Sequence, residues 1–185
     1  MEASSKKTCT AEGSVMAAYR NVMASTCCAQ FEIEVEERNM NRWIVKMDRI
    51  TFVAEGPQIF KDLSWLEGNG YGNGKIELEV FSDSSYPRLP PFVRIVSPRF
   101  HALTGHVTSG GSICTDMLTP EGWFPKMGME TVLMQLHALF IKGGARIVRS
   151  QHEPYSLLEA KEAFKRVADA HGWQTTGLPD TMKNA

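Results

Sequence analysis

A strict alternation of apolar and acidic residues at positions 31–36 most strongly limits how this chain can fold. Phe31, Ile33 and Val35 are each followed by a glutamate. Because side chains two residues apart lie on the same face of a strand, the pattern predicts a β-strand with one buried and one solvated face. We therefore expect a half-buried sheet in this chain.

Three later segments are predicted to complete that sheet. Residues 43–53 follow a turn at 39–41, and residues 75–81 and 92–96 supply the third and fourth strands. Together they predict an antiparallel meander with these inward residues: Trp43, Val45, Met47, Ile76, Leu78 and Val80. The opposite face is expected to be solvated and to carry Glu32, Glu34, Glu36, Glu77 and Glu79. The three prolines at 86–91 predict a stiff, exposed turn before the last strand.

Amphipathic patterns predict helices on both sides of the strands. The first helix begins at the cap Ser14 and ends near Ser25, with an apolar stripe of Val15, Ala18, Tyr19, Val22 and Met23. The apolar pattern at residues 127–142 predicts the central core helix. A last helix covers 156–171, ends at Gly172 and is expected to bury Leu157, Leu158, Ala160, Phe164 and Val167. This order of elements is typical of an α+β domain.

Composition limits the possible partners and locations. The chain has 185 residues, which suits one domain, and a formal net charge of −1, which offers no general attraction to nucleic acid or acidic membranes. No apolar run is long enough to span a bilayer, so we expect a protein that is neither secreted nor membrane-bound. Cys9, Cys27, Cys28 and Cys114 contain no Cys-x-x-Cys pair. We therefore expect no metal site, no cofactor, and a reducing compartment, either cytosol or nucleus.

Cys114 is the candidate for chemistry. It follows Gly110 and Gly111, whose conformational freedom and small size would let a bulky partner approach, and it precedes the apolar residues Met117 and Leu118. A thiol held at a fixed, accessible position is a candidate nucleophile. The alternative is that Cys114 is only a small buried apolar residue, as most unpaired cysteines are.

Three short motifs resemble those of the ubiquitin-conjugating enzymes. They are Tyr86-Pro-x-x-Pro90-Pro91, then Gly111-Ser112-Ile113-Cys114-x-Asp116-x-Leu118, and then Trp123-x-Pro125 ahead of the core helix. Further segments are similar to the Q subfamily, among them Pro90-Pro91-Phe92-Val93-Arg94, Lys142-Gly143 and Tyr155-Ser156-Leu157. The Q subfamily also carries a long insert where this chain has residues 54–74, whose apolar first half favours a short helix or a wrap over the sheet.

The resemblance implies the ubiquitin-conjugating-enzyme fold: an N-terminal helix, a four-stranded antiparallel meander, the cysteine segment, the core helix and a C-terminal helix. The catalytic domain is then expected at 13–174. Residues 1–12 are small, polar and without periodicity, which predicts a flexible tail, and a second flexible tail is expected at 175–185. The resemblance also implies that Cys114 accepts ubiquitin or a ubiquitin-like protein from an activating enzyme as a thioester. The cargo would then pass to an amine of a protein substrate, alone or with a ubiquitin ligase.

The resemblance also implies catalytic roles for two residues near Cys114, namely Asp116 and His106, and each has an alternative interpretation. Asp116 matches an acidic position that helps orient or deprotonate the incoming amine, and the alternative is an aspartate that caps a loop. Most members carry His-Pro-Asn upstream of the cysteine, where this chain has Thr104-Gly105-His106. His106 would support the oxyanion in place of the asparagine, and the alternative is an ordinary exposed loop histidine.

The implied binding surface for ligase or ubiquitin comprises Arg88, Trp123, Phe124, Pro125 and Lys126. In the family the loop that holds Arg88 often presents an aromatic residue, so we expect an unusual or weak ligase preference here, with Phe124 as the anchor. Two other functions compete with a conjugating enzyme. One is an interaction module of the same fold that binds ubiquitin without chemistry, and the other is a Cys-His hydrolase with His106 or His101 as base.

Overall fold

Four consecutive strands form one antiparallel sheet in the order in which they occur along the chain. The computed structural model describes residues 11–36 and 39–173. The strands are β1 Phe31–Glu36, β2 Asn39–Asp48, β3 Lys75–Phe81 and β4 Phe92–Ser97. One row of paired residues crosses the whole sheet: Ile33, Val45, Leu78 and Ile95. The predicted four-stranded meander is therefore confirmed.

Four α-helices accompany the sheet in the described part of the chain. They are α1 Ala11–Ala24, α2 Pro57–Gly68, α3 Met129–Lys142 and α4 Leu157–His171. The predicted core helix is confirmed as α3, which is fully buried at Val132, Leu133, Leu136 and Phe140. The first half of segment 54–74, which was predicted to be an insert, forms α2, and this helix buries Ile59, Leu63 and Leu66. None of the helices in this part of the chain combines the length and apolar character needed to cross a bilayer.

Helix α4 begins and ends at strong local signals. Ser156 and Glu159 form a reciprocal capping box, and Gly172 ends the helix in the left-handed conformation at φ 70°. Phe164 of α4 packs edge-to-face on Phe92, with ring centroids 5.5 Å apart. Phe81 and Phe92 belong to the sheet face opposite the main core, so α4 covers one end of the face that was predicted to be solvated.

On the same sheet face, the prediction that Glu79 is solvated is wrong. Glu79 lies on the same face as Phe81, is 4% exposed, and accepts hydrogen bonds from Arg42 and from its cross-strand neighbour Arg94. Arg94 also donates to the carbonyl of Tyr155, at 2.8 Å. A buried carboxylate at this position is tolerated because it is paired and hydrogen-bonded.

Several other predictions from the pattern require correction. The turn predicted at 39–41 lies inside β2, and residues 49–53 leave the strand because the Asp48 side chain caps a short 3₁₀ helix, Arg49–Phe52. Met23 and Leu158, predicted to be inward, are 57% and 62% exposed. The turn at 86–91 is not exposed as a whole, since Tyr86, Pro90 and Pro91 are buried.

The predicted tails can be compared with the structure only in part. Helix α1 begins at Ala11, so residues 11–12 belong to a helix and not to the tail predicted at 1–12. Residues 1–10 and the whole predicted tail at 175–185 lie outside the described residues. Cys9 is therefore not described either.

Candidate active site

Cys114 ends a narrow hairpin that is bonded to the edge of the sheet. Its amide donates to the carbonyl of His106 at 2.8 Å, and the amide of Thr108 donates to Ser112 at 2.9 Å. Toward β4, Ile95 donates to Gly111 at 2.7 Å and Ile113 donates to Val93 at 3.3 Å. The backbone of Cys114 is thus fixed from two sides, and the residue has intermediate exposure.

The two glycines before Cys114 do not have the role predicted for them. Gly110 and Gly111 are buried. A Cβ added at Gly110 would lie 2.2 Å from the carbonyl oxygen of Glu159 in α4, and one added at Gly111, where φ is 87°, would lie 2.7 Å from the Tyr155 ring. Their small size lets the hairpin tip pack under α4, so it does not open an approach to the thiol.

Burial, followed by the negative charge of Asp116, raises the pKa of the Cys114 thiol above its usual range. Both causes disfavour the thiolate. Near neutral pH the resting sulfur is therefore mostly protonated, which differs from a thiol activated in advance by a positive neighbour.

Asp116 opens a short 3₁₀ turn, Asp116–Leu118, directly after the cysteine. Its backbone carbonyl closes the turn by accepting hydrogen bonds from the amide and hydroxyl of Thr119, at 3.0 and 2.8 Å. Gly122 packs against the same carbonyl so closely that an added Cβ would lie 2.0 Å from it. The turn is held by the backbone of Asp116, and the residue itself is exposed.

The structure brings His106 and Cys114 together. His106 has φ 61°, in the left-handed region, and follows Gly105 at φ 60°. Its Nδ1 lies 3.3 Å from the carbonyl oxygen of Cys114, in addition to the backbone hydrogen bond between the two residues. The imidazole is exposed beside the cysteine backbone. His101, the other histidine considered, is exposed, and its amide donates to Arg146.

The predicted binding residues divide into a buried support and exposed neighbours. Trp123 is 7% exposed, and its indole N–H donates to the carbonyl of Pro87 at 2.7 Å. It therefore joins the segment before α3 to the proline-rich turn. Arg88, Phe124, Pro125 and Lys126 are exposed, with Phe124 at 59%. Pro125 and Lys126 line a groove together with α1 and Pro87. Whether these residues bind a partner stays a prediction.

Sequence reasoning missed two sets of hydrogen bonds made by buried polar side chains. Thr108 and Ser112 share a hydroxyl hydrogen bond of 2.8 Å inside the cysteine hairpin. Asp62 in α2 is 0% exposed and binds Arg146 and Arg149. The available signal was that Asp62 falls within the apolar stripe Ile59–Leu63–Leu66 and so points to the core side of its helix.

The described residues contain three free thiols, which differ in their surroundings. Cys27, Cys28 and Cys114 are free thiols there, and no cluster of three or more His, Cys, Asp or Glu side chains in that part of the chain is arranged to hold a metal ion. Cys27 is exposed and Cys28 is buried. Of these three, Cys114 is the thiol with a histidine and a carboxylate close by in the chain.

Comparisons with known proteins agree with this picture. The family described as "Ubiquitin-conjugating enzyme" matches residues 59–171. Ubiquitin-conjugating enzyme E2Q-like protein 1 of Mus musculus is 32% identical over 155 residues, which cover 80% of this chain and 89% of that protein. Ubiquitin-conjugating enzyme E2 25 of Caenorhabditis elegans is 33% identical over 150 residues, covering 78% of this chain but only 37% of the relative.

A solved structure, that of human ubiquitin-conjugating enzyme E2 G1, aligns with a TM-score of 0.50 at 18% identity. The alignment covers 70% of this chain and 95% of that one. At this identity the likeness concerns the fold. Among the first curated relatives, the chain spans between about a third and a half of the full protein.

Proposed function

The chain belongs to the ubiquitin-conjugating enzyme family, close to its Q subfamily, and on that premise we propose that Cys114 carries ubiquitin or a ubiquitin-like protein as a thioester. The observation that carries the proposal is the placement of Cys114: a partly exposed thiol whose backbone is fixed beside His106 and next to Asp116. The family match and the sulfur's position together support a transferase with a covalent intermediate.

Loading exchanges one thioester for another. The sulfur of Cys114 attacks the carbonyl carbon of the cargo's C-terminus, a new C–S bond forms, and the bond to the activating enzyme's cysteine breaks. The proton lost from Cys114 leaves with the departing thiolate. Because burial and Asp116 raise the pKa of the free Cys114 thiol, we expect this thiol to lose its proton when the activating enzyme that carries the ubiquitin-like protein docks, and not before.

Discharge passes the cargo to an amine of a protein substrate, with or without a ligase. The amine nitrogen attacks the thioester carbonyl, the C–S bond breaks, and Cys114 leaves as a thiolate that takes up a proton. The exposed carboxylate of Asp116 suits the attraction of an ammonium group and the acceptance of its proton. The negative charge of Asp116 disfavours the free thiolate of Cys114, but it attracts the positively charged amine of the protein substrate.

His106 is proposed to support the oxyanion of this step. Its Nδ1 lies 3.3 Å from the backbone carbonyl oxygen of Cys114, so the imidazole is next to the residue on which the thioester would form. A preorganised donor of this kind is worth about 3 kcal/mol in other enzymes. We expect His106→Ala to slow discharge to lysine more than loading, while His101→Ala, a matched change of an exposed histidine in the same loop, leaves both rates unchanged. Equal effects on the two rates would remove His106 from the mechanism.

The two competing functions have less support. An inactive module of this fold does not need a cysteine at the end of a fixed hairpin. A hydrolase needs a histidine that activates the sulfur, whereas the contact that His106 makes is with the carbonyl oxygen of Cys114. A hydrolase would also release free ubiquitin from conjugates without ATP, which gives a direct test of that alternative.

A loading assay tests the proposed function. The chain is incubated with ATP, an activating enzyme and its ubiquitin-like protein, using a panel of such pairs. We expect an adduct that reductant cleaves, and Cys114→Ser should convert it to a reductant-stable ester. Cys27→Ser, which changes an exposed thiol elsewhere, should load like the parent. Absence of an adduct with every pair would refute the proposal.

Partner recognition and location are further parts of the proposal. Phe124 is the large apolar side chain exposed beside the groove at Pro125 and Lys126, so it is proposed as the anchor for a ligase, with Arg88 limiting which ligases fit. Tight ligase binding that survives Phe124→Ala would contradict this. The free thiols Cys27 and Cys28 support a reducing compartment, cytosol or nucleus.

A further inference from the structure

A chain of hydrogen bonds runs from the inserted helix α2 to the cysteine segment, and it begins at Asp62. The Asp62 carboxylate is fully buried, and each of its oxygens has a partner: Oδ2 accepts from Arg146 Nε at 2.8 Å and from the amide of Ile147 at 3.2 Å, and Oδ1 accepts from Arg149 Nη2 at 2.8 Å. One carboxylate thus holds both side chains and backbone of residues 146–149.

The charge state of Asp62 is consistent with this role. Burial alone would raise its pKa, but the hydrogen bonds from Arg146, Arg149 and the Ile147 amide together lower the pKa below its usual range. The side chains of Arg146 and Arg149 are 45% and 42% exposed, so solvent screens much of the ion pairing. The bond to the buried Ile147 amide is the part that fixes the backbone.

The segment held by Asp62 in turn holds the loop at 101–106. The amide of His101 donates to the Arg146 carbonyl at 2.8 Å, and the amide of Arg146 donates to Thr104 Oγ1 at 3.1 Å. The amide of Gly105 donates to the Gly143 carbonyl at 2.9 Å. The packing is tight, since a Cβ added at Gly105 would lie 2.6 Å from the Cβ of Ala145.

This loop ends at His106, whose carbonyl accepts the Cys114 amide at 2.8 Å. His106 and Gly105 both lie in the left-handed region, at φ 61° and 60°. A non-glycine residue pays for this conformation and keeps it only where its surroundings enforce it. The bonds from residues 143 and 146 provide that enforcement, so the position of His106 beside Cys114 depends on the segment that Asp62 holds.

We infer that Asp62 is a positioning residue for the cysteine segment, acting through residues 143–149 and the loop 101–106. It touches neither Cys114 nor a substrate, and its role rests on the proposed function of Cys114. The insert at 54–74 therefore contributes to the active-site geometry through α2, whatever else its surface does. Thr104 is the intermediate member of this chain, since it joins Arg146 to the loop.

Amide hydrogen exchange followed by NMR tests the inference without any ubiquitin machinery. Asp62→Asn keeps the size of the side chain but removes its charge, and Thr104→Val keeps the shape but removes the hydroxyl. We expect both to speed exchange of the Cys114 and Gly105 amides about tenfold, a factor that corresponds to about 1.4 kcal/mol. Where the parent loads, both variants should also slow lysine discharge more than loading.

Matched controls separate positioning from general destabilisation. Leu66→Ala removes a buried side chain from the same helix, and it should speed Cys114 exchange no more than it speeds exchange across the core. Thr104→Ser, which retains the hydroxyl, should restore parental exchange and discharge. If Asp62→Asn does not fold, the comparison of Thr104→Val with Thr104→Ser tests the inference alone.

Two results would overturn the inference: unchanged Cys114 exchange in Thr104→Val, or equal acceleration in Leu66→Ala and Asp62→Asn. A parent that never loads, combined with the expected exchange pattern, would refute the proposed function and leave only the structural coupling between Asp62 and the cysteine segment.

Discussion

The packing of Gly110 under α4 gives a sharp prediction about stability. In Gly110→Ala the new Cβ would lie 2.2 Å from the Glu159 carbonyl oxygen and 2.7 Å from the Ala163 Cβ. Real contacts of this kind are essentially never shorter than 3.0 Å, so the hairpin and α4 must separate by at least 0.8 Å, the difference between 3.0 and 2.2 Å. Both neighbours belong to a helix and cannot rotate away.

Overpacking of this size costs about 1–3 kcal/mol. For a domain of this length each kcal/mol lowers Tm by about 2–4 °C, so we expect Tm to fall by about 2–12 °C. Thermal unfolding followed by circular dichroism measures the change. Because the tip is four residues from Cys114 in the same hairpin, the loading rate should fall as well.

Gly68→Ala is the matched control. Gly68 lies in α2, is exposed, and has nothing within 4 Å of an added Cβ. Alanine there reduces the freedom of the unfolded chain and should raise stability by about 0.4–1 kcal/mol. The two glycine variants should thus change Tm in opposite directions. A Gly110→Ala protein with parental Tm and parental loading would show that the packing of the hairpin under α4 does not require the glycine.

Two further predictions follow from the titrating groups. Asp116→Asn should lower the pKa of Cys114, because it removes the negative charge that adds to the effect of burial. Alkylation of Cys114 by iodoacetamide at pH 8 should therefore become faster, while discharge to free lysine becomes slower. Slower alkylation would contradict the effect of Asp116 on the Cys114 pKa. Burial lowers the pKa of His137, which stacks on Phe52 and bonds to Thr51. The unfolded chain therefore binds the extra proton first, so urea unfolding should show stability falling as pH drops below about 6.5, and falling less steeply in His137→Gln. An equal slope in both proteins would rule out His137 as the source.

Local pattern was sufficient for the elements that build the core. The alternation at Trp43, Val45 and Met47 predicted strand β2 and its buried face, because the period of two is a property of any half-buried strand. The apolar stripe of α3 and Gly172, which ends α4, are equally local signals. The order of elements and the family motifs then gave the fold.

Contacts between distant segments could not be read from the sequence. Glu79 follows the same alternation as its solvated neighbours, yet it is buried and bonded to Arg42 and Arg94 of the adjacent strands. Gly110 was predicted to open the approach to Cys114. The position of α4 shows instead that a glycine is needed there because no room is left for a Cβ. The pairing of Asp62 with Arg146 spans 84 residues. In each case the physical cause is a tertiary neighbour whose position depends on the complete fold.

The hydrogen bond between the Trp123 indole and the Pro87 carbonyl has a kinetic consequence for recognition. It joins the two loops beside the groove, so a partner that binds there would meet a preformed edge and would lose little conformational entropy on binding. Substitutions among the exposed residues of this edge should therefore change how long a complex lasts more than how fast it forms.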